Sequence, residues 1–286
     1  MRKFAKMAVA AAIAGMALVS QAGIVIDDFL VGQGVVGSVQ VLRDTTVNGS
    51  GFYSSVNGAS TSIIGGQRDL FVEKSGLANS SGAVSTVVEL GSYLYSTDSN
   101  TFGNSILKWD GKKDVFGVDA PLEPTVTAGS RASFLGTLNP FGLGGIDLAA
   151  TGNAFLITVK DSDLGFFFGL TVFTSDTEWT TLLLAAAAHS NFLPASSPIL
   201  FADFAGVANE AGTVLGSGAK RFTGTGGSAD MTNVGALVAE INVLGLSTLP
   251  VDLEITHVET VPEPSSLALL GIALLGLGAV RRRNKA

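Results

Sequence analysis

Val251-Asp252-Leu253-Glu254-Ile255-Thr256-His257-Val258 alternates apolar and polar side chains up to Ile255 and ends on a further apolar residue, Val258. Successive side chains of a strand point to opposite faces, so a period of two describes a strand with one buried and one solvated face. The same rhythm of short apolar stretches, broken by Gly, Asn, Asp, Ser and Thr clusters, runs back to Gly23. It places strands at 24–31, 37–43, 66–73, 84–90, 106–109, 145–148, 154–159, 166–174, 199–204, 234–243 and 251–258. Glycine takes 36 of 286 positions, about twice its usual share of roughly 7% and too much for a helical bundle. The expected body, residues 23–260, is a single all-β domain: an antiparallel β-sandwich, jelly-roll-like rather than immunoglobulin-like.

One segment reads two ways. Trp179 to His189 contains Leu182-Leu183-Leu184 and four alanines, a composition with high helix propensity. It follows a strand-like run and a Ser175-Asp176 turn in a chain otherwise built of strands, and the strand reading is taken. Phe166-Phe167-Phe168 is read as buried on both faces, since an exposed run of three would invite aggregation.

Composition removes several kinds of chemistry. There is no cysteine, which excludes disulfides, thiolate metal sites and cysteine nucleophiles, and the two histidines, His189 and His257, lack metal-ligand spacing. Gly32-Gln33-Gly34-Val35-Val36-Gly37 spells a dinucleotide fingerprint. However, it is followed by a strand-like run and has no acid about 20 positions on, so a turn is expected. Thr223 to Ala229 has no Lys-Ser/Thr ending and reads as a sheet-edge loop. No G-x-S-x-G elbow occurs.

The formal net charge of -7 sums unlike segments. Arg2, Lys3 and Lys6 open the chain, and Arg281, Arg282, Arg283 and Lys285 close it. The remainder holds 10 basic against 24 acidic residues, a net -14. An acidic body repels phosphate backbones, which excludes nucleic acid as the expected partner.

The first 22 residues have the order of a secretory signal: a basic start, an apolar run from Met7 to Val19, and small side chains at Ser20 and Ala22. Signal peptidase cleavage is expected after Ala22. At the other end, residues 261–286 place Pro262, Glu263 and Pro264 before sixteen uncharged residues, 265–280, and then Arg281, Arg282 and Arg283. The prolines cannot continue a ladder, so they keep the approach extended and accessible. As a helix, 265–280 would reach about 24 Å, slightly short of a hydrocarbon core, a mismatch that thinning or snorkelling absorbs. A single C-terminal transmembrane helix is expected, with the arginines on the cytoplasmic side of the inner membrane and the body outside it.

Pro-Glu-Pro, a short apolar segment and a closing arginine cluster together resemble the PEP-CTERM sorting signal of Gram-negative bacteria. That resemblance implies recognition by a membrane transpeptidase of the exosortase type. It also implies delivery to the cell surface or extracellular matrix, with association to exopolysaccharide, biofilm or floc. The body more loosely resembles jelly-roll surface proteins and carbohydrate-binding modules, through Ile26-Asp27-Asp28-Phe29, Arg68-Asp69-Leu70, Leu107-Lys108-Trp109-Asp110-Gly111 and the stretch Asp230 to Ala236.

Two kinds of site follow as expectations. Calcium takes six to eight oxygens, and first and last strands lying close together would bring Asp27 and Asp28 towards Asp252 and Glu254; ordinary solvated carboxylates are the other reading of the same residues. No other cofactor is expected. A sugar site needs a flat ring against a pyranose face, and Trp109, between Lys108 and Asp110, is the candidate, although a tryptophan ending a strand also reads as core. The function expected is a non-catalytic surface or matrix protein, with polysaccharide as its candidate ligand. The alternative is an exported polysaccharide-acting enzyme using a carboxylate pair, whose separation a sequence does not give.

Overall fold

The computed structural model describes residues 23–33, 41–46, 50–75, 81–89, 91–111, 127–189, 195–243 and 250–262. Gly23–Glu263 form one compact unit. The described strands are β1 (Val25–Asp27), β2 (Leu42–Asp44), β3 (Gly51–Asn57), β4 (Gln67–Ser75), β5 (Val84–Glu89), β6 (Ser92–Thr97), β7 (Phe102–Trp109) and β8 (Thr127–Gly129). They continue with β9 (Ala154–Ser162), β10 (Phe166–Phe173), β11 (Trp179–Ala186), β12 (Ala195–Leu200), β13 (Asn209–Val214), β14 (Lys220–Thr223), β15 (Ala236–Ile241) and β16 (Asp252–Val261). Two short helices accompany them, α1 (Arg131–Leu135) and α2 (Phe201–Phe204).

Every ladder between the described strands is antiparallel, and these strands form two sheets. The first runs β12-β9-β16-β6-β5-β2, with β1 also paired to β16; the second runs β13-β14-β11-β10-β15-β7-β4-β3-β8. Their inner faces share one apolar core, in which Leu253, Ile255 and Val258 of the first sheet meet Leu107, Phe168, Leu170 and Leu237 of the second. This is a sandwich, as the alternation in β16 implies.

That alternation also explains its own irregularity. The register of β16 against β9 shifts between Ile255 and His257, so two residues of β16 face one step of β9. The bulge turns Val258 back inward after Ile255, which is why the apolar positions change parity there. His257 stays on the outer face, 3.5 Å from Glu259.

The disputed segment is a strand: β11 pairs residue for residue with β10 from Phe166↔Ala186 to Phe173↔Trp179. A complete ladder overrides the helix propensity of the leucine and alanine run. Other expectations are corrected. The first strand stops at Asp27, because Asp27 Oδ1 accepts the Phe29 N–H at 2.9 Å and Phe29 takes φ 55°, turning the chain. Residues 145–148 contribute a single bridge, Ile146↔Val234, rather than a strand. Residues 201–204 form α2, not the end of a strand. Phe166 and Phe168 are buried, but Phe167 is half-buried on the opposite face.

The outer face of the second sheet is partly roofed. Ser130 caps α1 by accepting the Ser133 N–H, and the helix lays Phe134 onto Phe71, ring centroids 5.2 Å apart, in a small second core with Ile106 and Val238. The neighbouring strands β10, β11 and β14 have no such roof among the described residues.

Candidate functional site

Trp109, the sugar-site candidate that also read as core, is interior, 1% exposed, and its indole N–H donates to Asp27 Oδ2 at 2.8 Å. Asp27 is equally buried. The Arg68 guanidinium grips both of its oxygens, at 2.8 and 3.0 Å, and also donates to Gln33 Oε1 and the Val31 carbonyl. Gln33 in turn donates to the backbone and hydroxyl oxygens of Ser54. Burial pushes the Asp27 carboxyl up, while Arg68, Trp109 and the Phe29 amide pull it down less strongly. The described part of the glycine fingerprint therefore belongs to a structural network that ties 27–33 to β4, β3 and β7.

The other calcium candidates point elsewhere. β1 does pair with β16, as expected, but at Val258 and Glu259, and Asp27 faces the interior. Asp28 Oδ1 accepts the Leu30 N–H. Asp252 accepts from the Ser96 hydroxyl, and Glu254 from the Ser92 hydroxyl and from Lys160 at 2.9 Å. Burial pushes Glu254 up, but Ser92 and Lys160 together hold it below its usual range. The four carboxylates do not converge, and among the described residues no three His, Cys, Asp or Glu side chains gather as a metal site. Of the processing residues, Pro262 is exposed directly after β16; Ser20, Ala22, Glu263, Pro264, Arg281, Arg282 and Arg283 lie outside the described residues. So does the expected membrane helix 265–280, and among the described residues no helix is long and apolar enough to cross a membrane.

A groove of about 640 Å³ occupies the unroofed part of the second sheet. Its floor can be read directly from the register. One row across β15, β10, β11 and β14 is Glu240, Gly169, Leu183 and Lys220; the next is Val238, Thr171, Thr181 and Phe222. Beyond them Phe173 and Trp179 stand opposite each other beside the β10–β11 turn. Four strands at ~4.8 Å spacing give a floor about 14 Å wide. Gly169 forms the depression, since its missing side chain leaves Val243 and Glu240 as walls. Leu135 and Arg131 of α1 close one side, with Arg131 paired to Glu240 at 2.7 Å.

At the opposite side the Lys220 ammonium lies 4.7 Å from the Phe222 ring centroid, a cation–π contact. The Thr171 and Thr181 hydroxyls are 2.7 Å apart. Gly224 makes room for the indole: a Cβ there would lie 2.7 Å from Trp179 ring atoms. Thus the glycine-rich stretch 223–229 supports an aromatic side chain. The arrangement offers half-buried rings, two hydroxyls and two cationic groups on a rigid sheet, a composition suited to holding a flat, polar-edged ligand. The sequence signal for it was the near-symmetry of Phe173 and Trp179 about the Ser175-Asp176 turn.

Under α1 lies a second charged cluster. Lys108 Nζ is 2.9 Å from Asp69 Oδ2 and 3.4 Å from Asp110 Oδ2, with all three side chains at most 8% exposed. Burial pushes Asp110 up to about 6, against the pull of Lys108 and with the added push of Asp69.

No curated protein matches the chain. A solved structure titled "Structure of PfGH50B" aligns with 68% of this chain and 22% of its own length, at 8% identity and a TM-score of 0.37, a likeness too low to bear on activity. Residues 260–283 match the family model described as the PEP-CTERM protein-sorting motif. The motif begins at the end of β16, where Pro262 is exposed, and it covers the Pro-Glu-Pro stretch expected to be recognised. An all-β body is therefore followed by a PEP-CTERM sorting motif, which marks an exported chain processed by an exosortase at the membrane.

Proposed function

We propose that the protein is a non-catalytic component of the cell surface or extracellular matrix, built on a jelly-roll-like sandwich, and that it holds exopolysaccharide in the groove of the second sheet. The observation that carries this reading is the partly exposed aromatic pair Phe173 and Trp179, set beside Thr171, Thr181 and Lys220 on one rigid surface. Aromatic faces bury the apolar face of a pyranose while neighbouring polar groups fix its hydroxyls. The sorting motif supports the reading by taking the body to the compartment where such polymers lie. Calcium enters as a variable of the binding assay.

Retention of the exported protein on its host's exopolysaccharide, with and without calcium and with a parallel assay for released reducing ends, tests it. Retention without product, lost in Trp179→Ala, is the expected result. Release of reducing ends, abolished by changing one acid, would establish the enzyme reading instead. Absence of retention would leave a purely structural role.

A further inference from the structure

The Lys108 cluster is an unusual use of buried charge. Lys108 on β7 and Asp69 on β4 are direct cross-strand neighbours, and the ammonium is enclosed by Asp69, Asp110, the Thr137 hydroxyl at 2.8 Å and the Phe134 ring, whose centroid is 5.0 Å away. Each ion buried in this way costs several kcal/mol of solvation, only partly returned by pairing. Three ionisable groups share the space, so one carboxylate is in excess whenever both acids are ionised. The 2.9 Å contact lets one proton pass from Nζ to Asp69 within the pair, which leaves a free amine beside a carboxylic acid, the two groups from which an amide forms.

We propose that Lys108 and Asp69 are joined by a side-chain amide, formed within the folded sandwich, with Asp110 as the catalytic group that moves the protons. The neutral Nζ attacks Cγ of the protonated Asp69 to give a tetrahedral adduct. Asp110 takes a proton from the attacking nitrogen through one oxygen and gives a proton to the departing hydroxyl through the other. The C–O bond breaks, one water leaves, and Asp110 ends in the state in which it began. No oxidant or co-reactant is needed. Two side chains hold the nucleophile and electrophile in contact, as required when proximity replaces external activation. The other Asp69 oxygen accepts from Gln67 Nε2 at 2.9 Å, and Asp110 accepts the Asn139 N–H at 2.8 Å, so both carboxyl groups are held in place. The raised proton affinity of Asp110 suits it to the shuttle. The chain has no cysteine, so an amide would provide a covalent tie between strands that disulfides cannot.

The test is mass spectrometry of the full-length chain, purified after export, denatured and cut with a glutamate-specific protease. Cleavage after Glu73 and Glu89 releases the segment 74–89 and separates the fragment ending at Glu73, which carries Asp69, from the fragment beginning at Leu90, which carries Lys108. The expected result is that these two non-adjacent fragments remain joined, lighter by one water than their sum. In Lys108→Arg, which keeps the charge but forms no such amide, they should separate at full mass. Recovery of separate fragments from the unaltered chain would overturn the proposal. So would a loss of water that persists in Lys108→Arg, because it would place an imide at Asp110-Gly111 instead. If Asp110→Asn left the linkage complete, the proton-shuttle part would fall.

Discussion

The indole of Trp109 and the carboxylate of Asp27 meet inside the sandwich, 2.8 Å apart, and so connect the first described strand to the seventh through the core. With Arg68 on the same carboxylate, the contact makes the start of the body part of the interior. Removing one partner of such a buried pair leaves an uncompensated charge, at a cost of about 3–5 kcal/mol. Arg68→Ala should therefore lower the urea midpoint sharply, and a shift as small as that of an exposed substitution would contradict the network.

The two tryptophans should separate stability from binding. Trp109→Ala empties a core position and should cost about 3–5 kcal/mol in unfolding measurements. Trp179→Ala sits at the groove and should abolish retention on polysaccharide while leaving the unfolding midpoint nearly unchanged. Equal stability losses from both would remove the distinction between core and groove.

Filling the groove should act like removing its ring. Gly169→Leu would place a side chain in the depression between Glu240 and Val243. The expected outcome is loss of retention with an unchanged circular dichroism spectrum. Undiminished binding by a folded variant would place the ligand elsewhere.

Asp110 gives a pH signature. Its carboxyl holds a proton more tightly in the folded chain, at about 6, than at its usual value of 3.8. The stability it adds is therefore fully present below about 3.8 and is lost as pH rises through about 6. The thermal midpoint of the unaltered protein minus that of Asp110→Asn should fall between pH 4 and pH 7. A constant difference would show that Asp110 does not titrate in this window.

Deleting residues 261–286 should leave the body exported but missorted or released, as followed by fractionating cells and medium. Unchanged surface association of the truncated chain would separate sorting from the motif.

Much of the fold was legible because burial imposes a period of two on apolar residues, as in β16, and because short apolar runs bounded by turn residues mark strands such as β10 and β15. Strands β3 and β6 escaped that reading: their sequences, Gly51 to Asn57 and Ser92 to Thr97, are rich in serine and tyrosine. Tyr93 and Tyr95 are nevertheless buried, the latter with its hydroxyl donating to the Gly103 carbonyl, so polar-looking positions build core. The site was less legible. Asp27, Arg68, Lys108 and Asp69 were visible as residue types, but only the folded chain reveals that Arg68 pairs with Asp27 and Lys108 with Asp69, and that Phe173, Trp179 and Phe222 share an outer face.

The position of β16 has a mechanical consequence. The strand that leads into the sorting motif is central in its sheet, with β9 along one side and β6 followed by β1 along the other. A pull delivered lengthwise through Pro262 would load both rows of hydrogen bonds together, in shear, instead of peeling them singly from an edge. The handle by which the motif would hold this body is thus attached where the sheet is hardest to unzip.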